Sequence, residues 1–203
     1  MTDTKERILD TAERLFAEQG YGATSLRSII AGAEVNLAAV HYHFRNKEAL
    51  LDAVLKRRLE PVNRERLAML DECERAAGDG PLPVECVLTA FIAPPLRLAR
   101  EVAHGGFVKL MGRIVGDGDA ALMRRHFGEV MDRFKRAFER ANPELPADEV
   151  LWRAFFSVAV LAHTLLGTKA MIGIAGEATT ERLVNFLSAG FRAPLSTESR
   201  SSA

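Results

Sequence analysis

The chain is expected to be all-α. Three observations carry that expectation. Apolar residues recur at helical spacing along nearly the whole length, no run shows the period-2 alternation of a strand, and Gly- or Pro-rich punctuation falls between the periodic segments. The organisation expected is a compact N-terminal unit over residues 1–46, a larger helical unit over 47–192 and a disordered polar tail over 193–203.

Each element has a local reason. Residues 4–19 put Ile8, Leu9, Ala12, Leu15 and Phe16 on one face, and Gly20 and Gly22 end that helix. Thr24 can N-cap a second helix with Leu26, Ile29 and Ile30 as its inner stripe, ending near Gly32. Asn36 can cap a third, in which Val40 and Phe44 pair at i, i+4. Asn46 can cap a fourth, opened by Lys47 and Glu48, with Leu50, Leu51, Val54 and Leu55 facing inward. Pro61 is expected to kink or split it, with helical spacing resuming to about Ala76. GDGPLP at 78–83 reads as a loop. The next helix starts near Val84, is expected to break at Pro94-Pro95, and continues to about Ala103. Gly105-Gly106 opens FVKLMGRIV, which runs into the GDGD loop at 116–119. A long amphipathic helix follows over 119–141, then the break NPELP, then helices over 147–174 and 178–191.

The composition is that of a globular protein, with 48% hydrophobic and 27% charged residues and a formal net charge of zero. The first fifty residues are not basic either: Lys5, Arg7, Arg14, Arg27, Arg45 and Lys47 against Asp3, Glu6, Asp10, Glu13, Glu18, Glu34 and Glu48 leave a net of −1. Nucleic-acid binding would therefore rest on placed cations and helix ends rather than bulk charge. Cys73 and Cys86 lack CxxC spacing, and the start of the chain lacks the form of a signal peptide, so free thiols in a cytoplasmic protein are expected. The uncharged run 154–168 is too short to span a bilayer and holds His163, so a core helix is expected and no membrane partner.

Residues 24–47, TSLRSIIAGAEVNLAAVHYHFRNK, have the form of a helix-turn-helix. A reading helix must anchor one face on its own core and offer small or polar groups to the major groove with the other. Val40 and Phe44 suit the anchor. Ala38 and Ala39 let the backbone approach and can touch thymine methyls. His41 and His43 can reach base edges or phosphates, Tyr42 a phosphate, and Leu37 can turn either way. Lys47 suits a phosphate by its charge and its place at a helix start, and Arg27 suits the opposite wall of the groove. His41 and His43, at i and i+2, point to different faces without a third ligand, so no metal is expected. The alternative for the whole stretch is a generic corner of an all-helical bundle.

GYGATSLRSIIAGAEVNLAAVHYHFRNKEAL, with KERILDTAERLFAEQG before it, resembles the DNA-binding region of TetR-family transcriptional regulators. The resemblance implies a three-helix helix-turn-helix domain, followed by a larger helical ligand-binding and dimerisation domain. It implies that Arg27, Leu37, Ala38, Ala39, His41, Tyr42, His43 and Lys47 face double-stranded operator DNA, with Thr24, Ser25 and Asn36 at the helix starts beside it. Tyr42 and Lys47 would hold phosphates; Leu37, Ala39 and His41 would read bases. Glu34 stands where the family usually has a turn glycine, Ile30 where it usually has alanine, and His41 where tyrosine is frequent. FVKLMGRIV, ELPADEVLWRAFFSVA, GTKAMIGIA and FLSAGFRAP further resemble the PsrA-like branch, which implies a fatty acid or acyl-CoA as effector.

The residues of the larger unit agree in outline. The 147–174 helix is apolar nearly all round and needs cover on every side. It is expected to pair, with 178–191, against the same helices of a second copy, using Leu161, Leu165, Leu183, Phe186, Leu187 and Gly190; simple burial in a monomer core is the alternative. A pocket for a small hydrophobic effector would draw on Phe107, Leu110, Met111, Phe127, Met131, Phe134, Phe155 and Phe156, with Arg113 and His163 for a headgroup and Lys109 and Lys169 as weaker candidates. Ordinary core is the alternative for each. No GxSxG, HExxH, P-loop or GxGxxG is present, and no cofactor is expected. The reading is a homodimeric repressor released by an effector; a small helical enzyme or an adaptor is the competing class.

Overall fold

The computed structural model describes residues 3–100, 105–117, 120–171 and 178–195. The described residues form helices and connections only: α1 Thr4–Gln19, α2 Leu26–Ala33, α3 Leu37–Phe44, α4 Lys47–Ala77, α5 Val84–Arg100, α6 Gly105–Asp117, α7 Ala120–Ala141, α8 Ala147–Met171 and α9 Ala178–Phe191. No helix among them is long and apolar enough to cross a membrane. Most of the polar tail, and residues 118–119 of the GDGD loop, lie outside the described residues, as does the Lys169 side chain.

The molecule divides into two compact units that do not coincide with a boundary at residue 46. The first comprises residues 1–62 and 99–127, the second 63–98 and 128–203. The first unit therefore takes in the start of α4 and the whole of α6 as well as α1–α3.

The core of the first unit is the one its periodicity anticipates. Ile8, Leu9, Ala12, Leu15 and Phe16 of α1 are buried with Ile29, Val40, Phe44, Leu50, Leu51, Val54 and Leu55, joined by Phe107, Leu110 and Ile114 of α6. α1 and α2 pack closely at Gly32, where a Cβ would lie 2.9 Å from the Thr11 methyl. An ionic cluster ties α1 to α4. Arg57 donates to Glu6, Asp10 and Glu13 at 2.8–2.9 Å, and Arg58 Nε donates to Glu13 at 2.9 Å. Burial works against the Arg57 charge, but bonds to the three carboxylates outweigh it and raise its pKa. Much of the acidity of the first fifty residues is thus neutralised by arginines just beyond them.

The second unit is built on Leu70, Val87, Leu88, Ile92, Leu96, Val130, Val150, Leu161, Val184 and Leu187. Four phenylalanines run through it: Phe91 meets Phe134 edge-on at 5.1 Å, and Phe138 stacks on Phe191 at 5.0 Å.

Three expectations are corrected. α4 is not split at Pro61, and α5 continues through Pro94 and Pro95. Pro95 has no N–H for the carbonyl of Phe91 four residues back. Arg66 of α4 supplies the missing donor, its Nε bonding that oxygen at 2.9 Å. The cysteines are not free: Cys73 of α4 and Cys86 of α5 form a disulfide, with Cα atoms 6.0 Å apart. The loop at 78–83 reverses the chain and sets the two helices side by side, which linear spacing did not reveal.

Candidate nucleic-acid interface

The turn between α2 and α3 is short and firmly closed. Glu34 ends α2 in the left-handed region at φ 54°, ψ 47°, and the N–H of Val35 bonds Ile30 O at 3.2 Å. That conformation explains why glycine suits this position; a glutamate there carries strain. Arg7 steadies the turn by donating to Ala33 O at 2.5 Å and Glu34 O at 2.9 Å. Asn36 caps α3 as expected, its side chain accepting from Ala39 N at 2.8 Å.

α3 then presents the two faces that a reading helix requires. Val40 and Phe44 are buried at 0% and 4% exposure, while Tyr42 is 85% exposed and Leu37 53%. Leu37 is therefore turned outward. Ala38 and His41 are exposed, and Ala39 and His43 half-buried. One ring nitrogen of His41, Nδ1, lies 2.9 Å from Arg45 O, which leaves Nε2 pointing away from the backbone. The Tyr42 ring packs edge-on against His43 with centroids 5.0 Å apart, which limits its freedom.

Two expected contacts change role. Thr24 is 1% exposed, its hydroxyl donating to Gly20 O at 2.8 Å and Leu15 O at 3.2 Å. It is an internal tie, not a surface group. The N-cap of α2 is Ser25, whose side chain accepts from Ser28 N at 3.0 Å in a reciprocal capping box. Lys47 is half-buried: its ammonium donates to Tyr21 O and Thr24 O, both at 2.8 Å, and lies 4.3 Å from the Tyr21 ring centroid. One of its three hydrogens remains for a phosphate, so its first task is to fasten the start of α4 to the α1–α2 connection.

Close to α3 in sequence, Arg27 at the start of α2 and Arg45, which ends α3 at φ 60°, are exposed and have no ion-pair partner among the described residues. Arg45 was missed from sequence. Its signal was present, a cation directly after the last anchor of the reading helix.

The expected pocket residues are divided between the two units. Phe107, Leu110, Met111, Arg113 and Phe127 belong to the first unit; Met131, Phe134, Phe155, Phe156 and His163 belong to the second. Arg113 is not a free headgroup partner, since it donates to Glu18 O at 3.2 Å and lies 3.2 Å from where a Cβ on Gly20 would sit. His163 is exposed. An open depression lined by Ala120, Ala121, Arg124 and Arg125 contains none of these residues.

Phe155 and Phe156 lie instead on an open face. On α8, Leu151, Trp152, Phe155 and Phe156 are 55–57% exposed, and Phe186 of α9 is 68% exposed. The three α8 rings cluster with centroids 5.9–6.2 Å apart. The opposite stripe of α8 is buried yet partly polar. Arg153 pairs with Glu149 at 2.6 Å and donates to Phe191 O at 2.6 Å, and Ser157 is fully buried. α8 is thus more aromatic outside than inside. Two of the expected interface residues are corrected: Leu161 and Leu187, 4% and 6% exposed, are used in the core of their own unit. Phe186 and Gly190 are exposed, and Leu165 and Leu183 are half-buried.

Comparison with known proteins agrees with this anatomy. Residues 8–54 match the family model described as bacterial regulatory proteins, tetR family, and residues 89–190 match that of the tetracyclin repressor-like C-terminal domain. The HTH-type transcriptional regulator AcrR of Shigella flexneri is 40% identical over 52 residues, 26% of this chain and 24% of its own length. The regulator YerO of Bacillus subtilis, itself uncharacterized, is 43% identical over 51 residues, 25% of this chain and 18% of its own length. The chain thus spans about a fifth to a quarter of the length of these relatives. The structure of SmeT, repressor of the Stenotrophomonas maltophilia multidrug efflux pump SmeDEF, superposes with TM-score 0.66 at 24% identity, over 94% of this chain and 89% of that one. Both family models and these two sequence relatives are described as regulators. With a reading helix held on its own core at one end and the family's C-terminal domain over half the chain, this protein belongs to the TetR family of DNA-binding transcriptional regulators.

Proposed function

We propose that the protein is a homodimeric repressor that holds a palindromic operator and is released from it by a small apolar effector. The observation that carries the proposal is α3. Its Val40–Phe44 anchor is buried while Leu37, Ala38, His41 and Tyr42 stand clear, flanked by the unpaired cations Arg27 and Arg45. His41, Ala39 and Leu37 read bases; Tyr42, Arg27, Arg45 and the remaining Lys47 hydrogen hold phosphates. A gel-shift titration against DNA upstream of the chain's own gene tests this, with tight binding that weakens steeply as salt rises as the expected result.

The second copy is supported by the inverted character of α8. A helix that buries arginine and serine inward while showing tryptophan and phenylalanine outward lacks its apolar partner. The twofold mate supplies it, through Leu151, Trp152, Phe155, Phe156 and Phe186, with Leu165, Leu183 and Gly190 at the margin. Two reading heads related by that twofold match half-sites one or more helical turns apart. The effector acts by population shift, preferring the arrangement that does not fit DNA. Resemblance to the PsrA-like branch makes a fatty acid or acyl-CoA the first candidate. A thermal-shift screen with both classes tests it, and the absence of any stabilisation would remove them.

A further inference from the structure

Arg66 is the one buried charge among the described residues that faces no opposite charge. It lies on the inward stripe of α4 with Val62 and Leu70, 5% exposed. The other buried charges are matched, Glu13 by Arg57 and Arg58 and Arg153 by Glu149. The Arg66 guanidinium bonds Phe91 O through Nε, reaches Asn63 Oδ1 from Nη1 at 3.4 Å, and lies 4.6 Å from the Phe91 ring centroid. The neighbouring acid on α4, Glu65, is occupied by Arg97. Burial pushes the Arg66 guanidinium down to about 10, with no carboxylate to raise it again.

The carbonyl left open by Pro95 explains the Nε bond but not the charge, because a neutral donor would serve that oxygen as well. A cation kept in an apolar core without an anion is costly, and the cost is offset when an anion arrives. The Nη edge of a guanidinium is a fork matched to a carboxylate. The Phe91 ring under the guanidinium packs on Phe134, and Met131 adjoins the same core.

We propose that the Nη edge of Arg66 receives the carboxylate of an organic acid whose apolar body lies against Phe91, Phe134 and Met131. Nε keeps its bond to Phe91 O, while Nη1 exchanges the long Asn63 contact for the acid. This rests on the effector-responsive reading and names its headgroup chemistry, which sequence reasoning had assigned to Arg113 and His163.

The test is calorimetric titration of the full chain with octanoate, dodecanoate and hexadecanoate and with the corresponding alcohols, using wild type, Arg66→Gln and Arg66→Lys. DNA binding by each protein is measured in parallel. Wild type is expected to prefer acid over alcohol by about ten- to a hundredfold, the value of a charge-assisted hydrogen bond. Arg66→Gln keeps a donor for Phe91 O and loses that preference; Arg66→Lys retains part of it. Equal binding of acid and alcohol by wild type, no acid binding, or an undiminished preference in Arg66→Gln overturns the proposal. If the Gln variant does not fold, wild type and Arg66→Lys decide. DNA binding without acid binding refutes the headgroup site alone, whereas failure to bind DNA refutes the regulator.

Discussion

Replacing Trp152 with glutamate should convert the protein from dimer to monomer without unfolding it. The side chain is 57% exposed in the single chain, so the substitution disturbs little of the protomer's own core. A buried aromatic side chain covers on the order of 200 Å², so each of Trp152, Phe155, Phe156 and Phe186 offers roughly 100 Å² to a partner. With Leu151 and Val158 the face approaches roughly 600 Å² per protomer, or roughly 1,200 Å² for the pair, the lower end of a stable interface. Because a twofold interface counts each substitution twice, truncating Trp152 removes roughly 200 Å² of apolar contact, about 5 kcal/mol at 25 cal/mol per Å². That is an upper bound, yet it still weakens association by roughly a thousandfold, and the two buried carboxylates of the Glu variant add to it. Sedimentation equilibrium reads the mass, and far-ultraviolet circular dichroism confirms an unchanged helix content. A wild type that is monomeric, or a Trp152→Glu protein that remains dimeric at submicromolar concentration, would refute the argument.

Other perturbations separate structural from DNA-contacting roles. Glu34→Gly relieves the left-handed strain at φ 54° and removes an exposed anion beside the reading helix; chemical denaturation should show a gain of about 0.5–1 kcal/mol, and gel shifts a tighter complex. Lys47→Ala removes two bonds to carbonyls, so it should cost about 1–2 kcal/mol of stability as well as weakening DNA binding, whereas Tyr42→Ala should weaken specific and random DNA alike with the melting temperature unchanged. Reducing the Cys73–Cys86 disulfide, which spans 13 residues, should lower stability by about 3 kcal/mol in the loop-entropy account; a Cys73→Ser/Cys86→Ser protein should melt like the reduced form and be insensitive to dithiothreitol.

The N-terminal unit was legible because its signals are local. Caps at Asn36 and Asn46, the Val40–Phe44 pair and the α1 stripe all act within a few residues, and each holds in the structure. What sequence could not give was long-range partnership. Thr24 and Lys47 look like surface groups until the fold brings carbonyls to them. The acids of α1 look like a penalty for DNA binding until Arg57 and Arg58 are placed against them. The prolines of α5 look like breaks until Arg66 is found serving the carbonyl that Pro95 abandons. In the larger unit, a helix apolar all round does not say which side its own chain will cover. That is why Leu161 and Leu187 were assigned outward, and Phe155 and Phe156 inward.

Selection of bound sequences from random duplex DNA tests the central claim most directly, because it asks at once whether α3 reads bases and whether two heads read together. The account predicts enrichment of an inverted repeat with half-sites one or more helical turns apart, and an altered half-site when selection is repeated with His41→Ala. No enriched sequence, or a single unrepeated site unchanged by His41→Ala, would contradict it.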